Sequence, residues 1–99
     1  MDIEYWRKEI DELDEELLSL LNMRARLALK VGELKKTAGL PLCDLERERA
    51  VLQKLQLANR GPLEPDAVAK LFRRIIRESK RVEARALEPV SSQSEEVRL

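Results

Sequence analysis

Histidine is absent from the chain, and cysteine occurs once, as Cys43. Zinc sites and Ser-His or Cys-His nucleophile systems are therefore excluded, because each needs ligands or a base that this chain does not carry. A lone cysteine cannot staple the monomer and suits a reducing compartment. Aromatic residues make up 3% of the chain and glycine occurs three times, a composition that fits a helical bundle better than a sheet protein. Formal net charge is zero, so there is no global pull toward nucleic acid or an anionic membrane. No apolar run approaches the roughly 18 residues of a membrane span. Asp2, Glu4, Glu9 and Asp11 interrupt anything like a signal-peptide core near the N-terminus. A cytoplasmic protein is expected, and any catalysis must come from Arg, Lys, Asp, Glu and Ser.

What the chain does have is one long apolar pattern from Ile3 to Lys36. Ile3, Trp6, Ile10, Leu13, Leu17, Leu20, Leu27, Val31 and Leu34 alternate steps of three and four. The one gap in that register is position 24, and Arg24 fills it. Good helix formers dominate and no Pro or Gly intervenes before Gly32, which predicts one helix of about 34 residues, roughly 50 Å long. A compact chain of 99 residues has a radius of gyration of only about 13 Å. Such a helix is too long for one small domain and needs partners along its length.

Gly39 and Pro41 stop the first helix. Asp44 is the expected N-cap of a second, short helix reaching about Asn59. A third begins near Glu64, with Pro65 in its first turn, and ends before Pro89. Val68, Phe72, Ile75, Val82 and Ala86 form its stripe, and Ser79 occupies the position between Ile75 and Val82. The expected fold is all-α, with long, short and long helices. Residues 1–88 form one domain and 89–99 a Ser/Glu-rich tail expected to be disordered. Three such helices bury little alone, and the first overhangs. A homodimer with packed long helices resolves both difficulties.

Arg24, Lys35, Ser79 and Glu83 lie on or beside the apolar stripes. A charge there costs several kcal/mol unless it is paired, so structural ion pairs or side chains snorkelling to water are one reading. The other is a pocket. Arg24 and Lys35 are separated by three helical turns, about 16 Å, so their long side chains can converge on one small anion. Arg7 lies about 25 Å from Arg24 along the axis and reaches such a site only from an antiparallel partner helix. Asp44, Arg47 and Glu48 share a face and offer acceptors for a hydroxyl and a further cation. The basic run Arg73, Arg74, Arg77, Lys80, Arg81 and Arg85 reads as a solvated face, since helix one is rich in acidic residues and aromatics are few.

Four blocks carry a resemblance: W-R-K-E-I-D-E-L-D-E-E-L-L-S-L-L, R-A-R-L-A-L-K-V-G-E-L-K, D-L-E-R-E-R and I-I-R-E-S-K-R-V-E. In this order and at these separations, over residues 3–87, the chain resembles the all-helical (AroQ-class) chorismate mutases. The resemblance implies an intertwined homodimer with two active sites. It implies that Arg7 is donated across the dimer and that Arg24 belongs to the host chain, both binding substrate carboxylates. Lys35 matches the lysine at the ether oxygen and a carboxylate. Asp44 and Glu48 match acidic positions near the ring hydroxyl, Arg47 the accompanying arginine, and Ser79 the serine of the pocket wall. Glu83 falls where some members carry Gln and others Glu.

The implied reaction is the Claisen rearrangement of chorismate to prephenate, on the route to Phe and Tyr, with neither cofactor nor metal. Lys35, Arg24 and Glu83 are the expected catalytic residues. Glu83 can donate to the ether oxygen only while protonated, so activity is expected to fall as pH rises. An isochorismate pyruvate-lyase on the same scaffold is the nearest rival, although D-L-E-R-E-R resembles the mutase side. A catalytically idle helical dimerisation or regulatory domain is another, and it offers no reason for Arg24 on a seam.

Overall fold

In a computed structural model, residues 2–87 are described; the expectation for the tail at 89–99 falls outside them. Three helices follow one another: α1 (Ile3–Thr37), α2 (Leu45–Ala58) and α3 (Pro65–Ala86), with no strand among the described residues. Each boundary has a local cause. Asp2 caps α1 by accepting from the Tyr5 backbone N–H at 3.0 Å. Its C-terminus closes with Gly39 at φ 72°, the Gly39 N–H donating to Lys36 and the Leu40 N–H to Lys35. That left-handed closure is where glycine is needed.

Asp44 caps α2, accepting from the Arg47 backbone N–H at 3.0 Å. Asn59 organises the next connection: its amide donates to the Leu63 carbonyl at 2.7 Å and its Oδ1 accepts from the Gly61 N–H at 3.0 Å. Pro65 and Asp66 occupy the first turn of α3, where a missing N–H costs nothing and a negative charge meets the helix dipole.

α3 packs against both α1 and α2, whereas α1 and α2 do not pack against each other among the described residues. The interior of a single chain is correspondingly small: Val68, Ala69, Ile76 and Ser79 of α3 are buried, together with Gly32 of α1. The apolar stripe of α1 stays in the open. Trp6, Ile10, Leu13, Leu17, Leu20, Leu27 and Val31 are all at least half exposed. An apolar stripe of this length, interrupted at Arg24, is the kind of exposed surface that marks an interaction site. The radius of gyration is 17.9 Å against about 13 Å for a compact chain of this size, so the overhang expected from the sequence is present. Among the described residues no helix is long and apolar enough to cross a membrane.

Candidate active site

α3 packs between α2 and the C-terminal half of α1, and residues of all three helices line a pocket of about 120 Å³. α1 contributes Arg24 and Lys35. The connection and first turns of α2 contribute Asp44, Arg47 and Glu48. α3 contributes Ser79, Lys80 and Glu83. A second recess of about 310 Å³ shares Arg24, Arg47 and Glu83 and adds Leu27 and Val31 of the bare stripe. The pocket thus opens onto a face of α1 that is left uncovered among the described residues.

Arg24 is half-buried, and its Nη1 donates to Ser79 Oγ at 3.2 Å. Ser79 is only 5% exposed, so a buried hydroxyl on α3 sets the direction of a cation on α1. Lys35 stands in the last turn of α1, where a positive charge suits the helix dipole. Among the described residues, Arg24, Lys35 and Arg47 have no carboxylate within 4.0 Å, although Asp44 and Glu83 line the same pocket. Structural ion pairing therefore does not account for these cations. They converge on open space, as an anion site requires.

The carboxylates have separate employment. Asp44 serves as the α2 cap, which fixes it at the pocket edge. Glu48 accepts from Lys80 Nζ at 2.7 Å. Glu83 lies against α1 where Gly32 has no side chain: a Cβ built there would stand 3.2 Å from Glu83 Oε2 and 3.3 Å from Leu87 Cδ1. The Lys80 ammonium titrates above its ordinary 10.5, chiefly because of its hydrogen bond to Glu48, with burial opposing and the Cys43 contact adding to the rise.

Seven residues singled out in the sequence, Arg24, Lys35, Asp44, Arg47, Glu48, Ser79 and Glu83, thus line one pocket. Arg7 does not join them within the chain; it is exposed and pairs with Glu4 at 2.9 Å. Two residues of the site escape sequence reasoning. Lys80 reads in the sequence as part of a solvated basic face, yet it lines the pocket and bridges α3 to α2. Gly32 reads there only as the first interruption of a helical run. The signals are the place of Lys80 between Ser79 and Glu83, and the cost of a glycine inside a helix, about 1 kcal/mol relative to alanine.

These features define a class: an all-helical domain that leaves one cation-rich pocket open beside an unburied helix seam. The family model for chorismate mutase type II matches residues 6–84, and the chain belongs to that family. It is 45% identical over 74 residues to a bifunctional chorismate mutase/prephenate dehydratase of Aquifex aeolicus, covering 71% of this chain and 20% of that protein. It is 47% identical over 77 residues to the Neisseria gonorrhoeae protein of the same description, covering 78% and 21% respectively. The chain spans about a fifth of the length of these curated relatives. A solved chorismate mutase from Thermus thermophilus superimposes with a TM-score of 0.82 at 38% identity, covering 84% of this chain and 94% of that one.

Proposed function

We propose that this chain catalyses the Claisen rearrangement of chorismate to prephenate as a homodimer, with Arg7 of the partner subunit completing each pocket. The observation that carries this reading is the convergence of Arg24, Lys35 and Arg47 in one pocket, without carboxylate partners among the described residues. Four cations (Arg24, Lys35, Arg47, Lys80) outnumber the three carboxylates (Asp44, Glu48, Glu83) that line the pocket, and Arg7 of the partner subunit adds a further positive charge for a dianion.

The rearrangement is unimolecular, so no nucleophile or redox group is required. Arg24, Arg47 and the partner's Arg7 hold the two substrate carboxylates and keep the enolpyruvyl chain folded over the ring. Selecting that near-attack geometry removes the entropic part of the barrier. As the ether bond breaks, negative charge grows on its oxygen. Lys35 and protonated Glu83 donate to that oxygen, and donors aimed at charge that develops only in the transition state raise turnover rather than binding alone. Glu48 accepts from the ring hydroxyl, and Asp44 holds the α2 N-terminus against the ring.

The bare stripe of α1 supports the dimer. Fully burying a Leu, Ile or Val side chain contributes about 1.5–3 kcal/mol, and the stripe offers many. Glu4 is no obstacle to Arg7 crossing over, since exposed ion pairs of this kind contribute only about 0–1 kcal/mol. Two relatives join chorismate mutase to prephenate dehydratase in their descriptions, an activity that consumes the product proposed here.

The test is to give the purified protein chorismate and isochorismate separately. Loss of chorismate with appearance of prephenate supports this reading. Pyruvate and salicylate from isochorismate would assign the chain to the lyase reaction instead, and a folded dimer that leaves both untouched would make it a dimerisation or regulatory domain.

A further inference from the structure

The ion pair between Lys80 and Glu48 differs from the others. Among the described residues, the remaining salt bridges join positions three or four apart on one helix, whereas this one spans α3 to α2. It is short, at 2.7 Å, and the Lys80 and Glu48 side chains keep only 36% and 26% of their surface exposed. Both residues line the pocket. Lys80 Nζ also donates to Cys43 Sγ at 3.5 Å, so the ammonium is held from two sides. Lys80 follows directly on Ser79, which accepts from Arg24. Consecutive residues of α3 therefore contact one charged side chain on each of the two other helices.

A carboxylate has two oxygens and about four lone-pair directions. Lys80 takes Oε2 of Glu48 and leaves Oε1 for another donor. We propose that Lys80 is a positioning residue, fixing Glu48 in one rotamer and offsetting its charge so that the second oxygen accepts the ring hydroxyl of the bound dianion. This rests on the chorismate reading and deepens it. Without Lys80, Glu48 is an uncompensated carboxylate beside a substrate that itself carries two. It would then repel the ligand and swing toward water or toward Arg47. Arginine is not an equivalent replacement, but it retains charge and reach.

The test is a double-mutant cycle on the full chain, with chorismate as the probe. Lys80→Met keeps the length and apolar stem and removes the charge. It is expected to raise KM about tenfold while kcat falls less, with Lys80→Arg recovering at least half of the loss in kcat/KM. In a Glu48→Gln background the same Lys80→Met substitution is expected to change kcat/KM by less than about threefold, because the group it acts through is already neutral. Circular dichroism and thermal melting of each variant identify loss of folding; should Lys80→Met unfold, Lys80→Gln takes its place in the cycle. Equal losses in both backgrounds, or no effect of Lys80→Met in the wild-type background, overturn the proposal. A wild-type chain that does not consume chorismate would instead overturn the reading on which it rests.

Discussion

The guanidinium of Arg24 and the hydroxyl of Ser79 meet at 3.2 Å, joining a cation on the seam of α1 to a buried polar group on α3. A guanidinium carries five N–H donors in a rigid fork. One donor is spent on Ser79, which orients the fork, and the rest have no protein acceptor among the described residues. Removing the hydroxyl leaves the charge in place and releases its direction. For Ser79→Ala we expect a stability loss of about 1.5–3 kcal/mol, in the range of a hydrogen bond to a charged group, and a several-fold rise in KM with kcat little changed. Urea denaturation and steady-state kinetics on one preparation measure both; an unaltered KM would show that Arg24 is aimed by something else.

Lys35 lies in the same pocket, and its proposed role concerns a different part of the reaction. A donor that meets charge only in the transition state contributes typically about 3 kcal/mol, or a hundredfold or more in turnover. Lys35→Ala is expected to lose that factor in kcat and comparatively little in helix content. Turnover close to wild type would remove Lys35 from the catalytic step.

The proposed role of Glu83 predicts that activity depends on pH in one direction. A carboxyl donates to the ether oxygen only while protonated, and as a carboxylate it repels the developing charge. Activity should therefore decline as pH rises, and Glu83→Gln, a donor at every pH, should flatten the profile. Lys80 contributes no slope in the neutral range. Its ammonium is held above its usual 10.5 by Glu48, so its contribution to stability is fully present at neutral pH and, on the alkaline side, is lost as the ammonium deprotonates. A sloping pH–rate curve that survives Glu83→Gln unchanged would place the titrating group elsewhere.

The close approach of Gly32 to Glu83 separates stability from activity. An added methyl would stand 3.2 Å from Glu83 Oε2 and 3.3 Å from Leu87 Cδ1, both at the ends of flexible side chains that can shift by a few tenths of an ångström. Alanine is also favoured over glycine inside a helix by about 1 kcal/mol. Gly32→Ala is expected to match or exceed wild-type thermal stability while kcat falls several-fold, because the displaced carboxyl is the proposed donor. Lower stability with full activity would contradict both halves.

Much of this is legible in the sequence, and the reasons are physical. Steps of three and four in apolar residues define α1 and α3, and Asp44 and Gly39 mark boundaries through side-chain and backbone chemistry that act within a few positions. Arg24, Lys35, Ser79 and Glu83 declare themselves by being polar where the register demands apolar residues. Lys80 does not, because a lysine among arginines on an amphipathic helix carries no local sign of a partner 32 positions earlier. Gly32 is obscure for a similar reason: the group that needs its missing side chain is on α3. The pairing of Arg24 with Ser79 is likewise hidden, although each residue stands out by itself.

The central claim is that each site is built from two chains, with a seam that is apolar where α1 packs and cationic where it meets substrate. Mixing two inactive variants tests it most directly. Arg7→Ala and Arg24→Ala damage the same site from opposite subunits, so a mixed dimer holds one intact site and one doubly damaged one. After subunit exchange half the dimers are mixed, and chorismate turnover should recover to about a quarter of the wild-type rate. A mixture that stays at the summed rate of the two separate variants would contradict the two-chain site and leave the length of α1 without a catalytic purpose.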